Sequence, residues 1–152
     1  MSLLEQINKK RRDIKTDGYP MSIGEWTGMY VREELDIHPE FQRFFRWSDA
    51  QKAGLIESIL LGIPVPPIFV SQREDGVWDV VDGLQRLSTI LQFMGLLKDE
   101  KGVSIPPLTL TGTKYLPALD NICWEKDDEP KYSLPKELQL VIKRSKISAS
   151  IV

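Results

Sequence analysis

A single α/β (α+β) domain spanning residues 1–152 is predicted by three features of the sequence. Two short β-type runs flank Asp75-Gly76, a strong turn signal. The second run leads straight into helical apolar spacing at Asp82-Gly83. Other stretches of helical spacing each follow a residue suited to capping a helix.

The elements follow in order. Ser2 and Glu5 have capping-box spacing, and Leu3, Leu4, Ile7, Arg11 and Ile14 recur at helical intervals, so a first helix is expected. Thr16 to Pro20 breaks it. Ser22 and Glu25 repeat the capping pattern before Ile23, Trp26 and Tyr30, which share a helical face. Leu35-Asp36-Ile37 alternates like a short strand that Pro39 ends. Ser48 caps a helix from Asp49 to Leu61, with Gly62 as its stop. Ile63 to Pro67 is too rich in proline for helix or central strand and forms a stiff connector.

Ile68-Phe69-Val70 and Val77 to Val81 are the arms of the hairpin around Asp75-Gly76. From Leu84, residues Leu87, Ile90, Leu91, Met94 and Leu97 mark a helix. Leu108-Thr109-Leu110 is strand-like. Leu134 to Ser145 is helical, with Pro135 tolerated in the first turn. Ile147 to Val152 alternates like a strand, and the stop within that pattern suggests the N-terminal part of a longer protein.

Composition excludes several classes. With 41% hydrophobic and 28% charged residues, the chain is not a disordered one. No apolar run approaches the roughly 18 residues that would span a membrane, and no secretory leader is apparent, so a cytoplasmic setting is expected. A lone Cys123 and a lone His38 build neither a disulfide nor a zinc site. Cys123 reads as a small core or loop residue, and His38, beside Pro39, as structural. A net charge of -2 gives no bulk attraction to nucleic acid, although Lys9, Lys10, Arg11, Arg12 and Lys15 crowd the first segment.

Chemistry concentrates at Asp82-Gly83-Leu84-Gln85-Arg86. The first amides of a helix lack intrahelical partners and carry partial positive charge. Gly83 permits close approach of a ligand to the backbone, and Arg86 offers a fork of donors matched to phosphate oxygens. Asp82 suits a magnesium ion, and Gln85 a phosphate or a water. A purely structural reading stands beside this one. Asp82 and Gln85 have capping-box spacing, and Arg86 pairs in that case with a carboxylate. A second cluster, Phe41-Gln42-Arg43-Phe44-Phe45-Arg46-Trp47, sets arginines among aromatics. It reads either as a stacking and phosphate-contacting surface or as core covered by arginine stems.

Taken in order, Gln42-Arg43, Trp47, Leu55 to Leu60, Gly62 to Ile68 and Val80 to Thr89 resemble the N-terminal domain of GmrSD-type restriction endonucleases, of the ParB/sulfiredoxin-like superfamily. The likeness is strongest over residues 22–93 and weaker from Gly112 to Val152. It implies a small mixed sheet with flanking helices, and a site in which Gln42 and Arg43 face the Asp82–Arg86 turn. It further implies binding of a nucleoside triphosphate with Mg2+, hydrolysis through Asp82, Gln85 and Arg86, and a role in anti-phage defence. The nuclease is expected in a separate His-Asn-His-type domain, in cis or in trans, and DNA is a further expected partner. The family's usual motif is Asp-Gly-Gln-Gln-Arg, and Leu84 departs from it. Leucine has no hydrogen-bonding side chain, which puts hydrolysis in question while leaving binding intact. Two other readings stay open: a DNA-binding or DNA-sensing module, and a catalytically inactive protein-interaction domain.

Overall fold

The computed structural model describes residues 2–13, 18–39 and 46–152, with the backbone alone at 11–13. Its α-helices are α1 (Leu3–Asp13), α2 (Ile23–Val31), α3 (Asp49–Leu61), α4 (Leu84–Phe93) and α5 (Lys136–Arg144). Its strands are β1 (Tyr19–Ser22), β2 (Leu35–Asp36), β3 (Ile68–Gln72), β4 (Trp78–Asp82) and β5 (Lys146–Ile151). The five strands form one mixed sheet in the order β1-β5-β3-β4-β2. β1 with β5 and β3 with β4 are antiparallel, whereas β5 with β3 and β4 with β2 are parallel. The mixed α/β class expected from the sequence is the class observed.

Local chemistry sets the element boundaries. The three capping signals all form: Glu5 N–H donates to Ser2 Oγ, Glu25 N–H to Ser22 Oγ, and Gln51 N–H to Ser48 Oγ. Gly62 ends α3 in the left-handed region at φ 75°, which costs a glycine little. α4 stops at Phe93 and does not continue to Leu97. Gly95 takes φ 75°, and Leu96 N–H turns back to Leu91 O at 2.9 Å. Pro135 sits at the cap of α5, just before its first turn.

Leu108 to Leu110 is a correction, because no strand forms there. Leu110 N–H donates to Ile122 O and Asn121 N–H to Leu110 O, both at 2.8 Å, inside an irregular loop. Leu108 and Leu110 are buried, so their alternation records packing against the core rather than a ladder.

One continuous core joins sheet and helices through Ile23, Trp26, Ile56, Ile68, Leu87, Leu91, Phe93, Ile142 and Ile147. Trp26 fixes α2 to the sheet with a buried bond from Nε1 to Ile147 O at 2.9 Å. α3 packs against α4 and α5, and α2 against α5 and β1. Glu57 on α3 is buried and accepts from Tyr115 N–H at 3.0 Å, holding the long loop to the helix. α1 differs, since Leu3 and Leu4 on it are largely exposed. No helix among the described residues is long and apolar enough to cross a membrane.

Candidate functional site

β4 delivers Asp82 to the surface through an irregular step. Phe69 pairs with Asp82 while Val70 pairs with Val80, so Val81 is an extra residue on β4. Trp78 is buried and Val80 half-buried, and simple alternation would send Asp82 the same way. The bulge resets the alternation, and Asp82 is exposed. Nothing in the sequence marks this bulge.

Gly83 follows at φ 98°, a conformation that side chains rarely adopt. A Cβ there would lie 3.0 Å from Ile68 Cγ1, 3.3 Å from Ile68 Cα and 3.0 Å from Arg86 Nη2. The turn therefore needs glycine twice over, for its backbone angle and for its contact with the start of β3.

α4 opens at Gly83 without any side-chain cap. The capping box that the structural reading of Asp82 and Gln85 offered does not form. One Asp82 oxygen accepts instead from Gly83 N–H at 2.8 Å, and Gln85 Oε1 accepts from Trp47 N–H at 3.1 Å. The amides of Leu84, Gln85 and Arg86 thus keep the positive end of the helix uncovered. Leu84, Gln85 and Arg86 line a cleft of about 280 Å³, together with Trp47 and Val81 through Gly83.

Arg86 is half-buried and folds back beside the turn. Its Nη2 donates to Pro67 O at 2.7 Å, which ties α4 to the proline-rich connector. Its Nε is buried with no hydrogen-bond partner among the described residues. The sequence reading paired Arg86 with a carboxylate or a phosphate. The partner found is a backbone carbonyl, and no carboxylate among the described residues forms an ion pair with it.

Asp82, Gly83, Gln85 and Arg86 are therefore brought together. Gln42 and Arg43, the other two predicted contacts, lie outside the described residues, as does the remainder of Phe41 to Phe45. Trp47 from that cluster reaches the site, while Arg46 lines a second cleft. Asp82 is the single carboxylate lining the smaller cleft, among the described residues. That suits Mg2+, which commonly takes one or two carboxylates and completes its shell with phosphate oxygens and water.

Sequence reasoning missed a charged cluster at the far end of the hairpin. His38 Nε2 lies 2.9 Å from Asp79 Oδ1, and Arg73 Nη1 lies 3.5 Å from Asp36 Oδ2 and 3.6 Å from Asp79 Oδ1. Asp36, His38 and Asp79 are close enough to share a metal ion. Arg73 supplies positive charge to both carboxylates and offsets part of their charge. His38, at φ 50°, donates its own N–H to Asp36 Oδ1 at 2.8 Å. Cys123 sits half-buried in a loop, its Sγ 3.3 Å from Thr109 Oγ1.

A family model described as "GmrSD restriction endonuclease, N-terminal domain" matches residues 26–149. No curated protein and no solved structure matches the chain.

Proposed function

The chain belongs to the family of GmrSD restriction endonuclease N-terminal domains, and from that premise we propose that it is the nucleotide-binding regulatory domain of a DNA restriction system. In this reading the Gly83 turn takes the phosphates of a nucleoside triphosphate with Mg2+, in the cytoplasm. A nuclease of the same system, in cis or in trans, does the cutting.

The observation that supports this reading is the uncapped start of α4 next to Arg86, whose Nε is buried with no partner among the described residues. An uncovered helix end with a guanidinium beside it is an anion site in physical terms. The glycine lets phosphate oxygens reach the amides, and Asp82 stands at the rim for the metal. Phosphoryl transfer asks a protein mainly for positioning and charge neutralisation. The free amides, Arg86 and Mg2+ at Asp82 supply the neutralisation.

Hydrolysis also needs an oriented water. Leu84 offers no polar atom for that task, and Gln85 Oε1 is held by Trp47 N–H. We therefore assign tight binding and slow turnover. A thermal-shift panel of nucleoside triphosphates with Mg2+ tests the binding, because a ligand bound by the folded state alone raises apparent stability. A rise of several degrees is expected with at least one of them, and a flat panel overturns the reading.

A second reading, an interaction domain without nucleotide, is favoured by one feature. Leu3 and Leu4 on α1 are 73% and 68% exposed, a bare apolar edge on a helix that also carries Lys9 and Lys10.

A further inference from the structure

β2 lies at one edge of the sheet and pairs with β4 in parallel, Leu35 beside Trp78 and Asp36 beside Asp79. Two carboxylates therefore stand side by side on neighbouring strands. Like charges directly opposite each other repel, so the pairing calls for a cation. Arg73 supplies part of it. Its Nη1 lies 3.5 Å from Asp36 Oδ2 and 3.6 Å from Asp79 Oδ1, and its Nε lies 3.6 Å from Asp75 Oδ1. These separations exceed the roughly 2.7–2.9 Å of a charge-assisted hydrogen bond. Three carboxylates thus share one loosely held guanidinium.

His38 joins the pair from β2. Two residues past Asp36 it takes φ 50°, a left-handed conformation that residues other than glycine seldom adopt. The bend is held by the His38 N–H on Asp36 Oδ1 and brings Nε2 to 2.9 Å from Asp79 Oδ1. One possible ligand atom from each of Asp36, His38 and Asp79 lies within 4.8 Å of the other two. Zn2+ holds imidazole nitrogen and carboxylate oxygen at about 2.0–2.2 Å, which sets ligand atoms about 3–4 Å apart. A small rotation of the aspartate side chains closes the set. The three side chains are 26% to 35% exposed, so an ion can reach them from solvent.

We infer that Asp36, His38 and Asp79 bind a divalent transition-metal ion of the Zn2+ kind, which fastens the two-residue strand β2 to β4. An imidazole among the ligands disfavours Mg2+ and Ca2+, which take oxygen. The site is thereby distinct in chemistry from the Mg2+ position at Asp82. Arg73 gives up its share of Asp36 and Asp79 to the ion and keeps Asp75. The histidine ligates as neutral imidazole, and any proton on the ligating nitrogen passes to solvent. In the sequence a lone histidine argued against zinc. The β2–β4 register supplies the two carboxylates that sequence spacing does not reveal.

The test titrates wild type, His38→Ala, Asp79→Asn and Cys123→Ser with Zn2+, and separately with Mg2+. Affinity is read by competition with a chromophoric chelator, and stability by the melting temperature. Wild type and Cys123→Ser are expected to bind Zn2+ with equal affinity and to melt several degrees higher with it, because the folded state alone assembles the ligands. His38→Ala and Asp79→Asn are expected to bind about tenfold more weakly or worse, since loss of an outer partner alone costs a metal site that much. Circular dichroism of the metal-free variants checks their fold. Where a ligand variant does not fold, Cys123→Ser loaded with Co2+ decides: the intense visible bands of a low-coordinate ion support the site, and the faint spectrum of the hydrated ion overturns it. Unchanged Zn2+ affinity in both ligand variants, loss of binding in Cys123→Ser, or an equal melting shift with Mg2+ overturns the inference.

Discussion

α3 and α4 pack side by side and begin in opposite ways. Ser48 and Gln51 cap α3 reciprocally, with Gln51 N–H on Ser48 Oγ at 3.2 Å and Ser48 N–H on Gln51 Oε1 at 2.8 Å. α4 starts at a left-handed glycine with no cap. The two starts are even joined, since Trp47, just before the α3 cap, donates to Gln85 in the first turn of α4. A capped helix end spends its amides on its own side chains, and the electrostatic field there is absorbed locally. An uncapped end beside a guanidinium whose bonded partner is a neutral carbonyl leaves that field unspent. The contrast separates a helix start closed by its own side chains from one left open, where the proposed phosphate site lies.

Arg86→Ala tests the contrast with the largest expected effect. Triphosphate affinity should fall by about 1.5–3 kcal/mol, the range for a hydrogen bond to a charged group, read by calorimetric titration. Equal affinity in wild type and mutant would remove Arg86 from the site. Gly83→Ala comes next, with stability expected to drop by about 1–3 kcal/mol from backbone strain, measured by urea unfolding. A neutral result would mean the turn relaxes and the glycine is not required. Ser48→Ala should cost about 1 kcal/mol of stability and leave triphosphate affinity untouched. A change in affinity would show that the two helix starts are not independent.

The smallest effect concerns Glu57 on the far side of that pairing. The Thr113 hydroxyl foremost, then the Tyr115 and Leu116 amides, hold its carboxyl below the ordinary glutamate value, against burial that pulls the other way. A lowered folded value stabilises the protein above the unfolded value, and that contribution disappears as pH falls through the folded one. Wild type should therefore lose stability relative to Glu57→Gln as pH falls below the ordinary glutamate value. Parallel unfolding curves at each pH would remove Glu57 as an anchor for the loop.

Much of this was legible from residues alone. The capping pairs at Ser2, Ser22 and Ser48, the Asp75-Gly76 hairpin and the strand-to-helix step at Gly83 are local, and each formed as its chemistry demands. The site residues Asp82, Gly83, Gln85 and Arg86 could be named because they lie within one turn of each other. What escaped depends on distant pairing. The Val81 bulge needs the register with β3, and the Arg86–Pro67 bond spans 19 residues. The cleft that Gln85 and Gln92 line with Leu97 and Ile105 exists only once α4 meets the loop that follows it. Leu108 to Leu110 misled because alternating burial in a loop looks like a strand in sequence.

The place of β5 in the sheet governs when the protein can fold. It lies between β1 and β3, and Tyr19 on β1 pairs with Ala149 on β5. A ribosome therefore releases both neighbours long before the strand that joins them. Until residues 146–151 emerge, β1 has no partner and one side of β3 is bare, a state prone to sticking to other chains. Closure across so long a span is slow, so the nascent domain is most vulnerable late in its own synthesis.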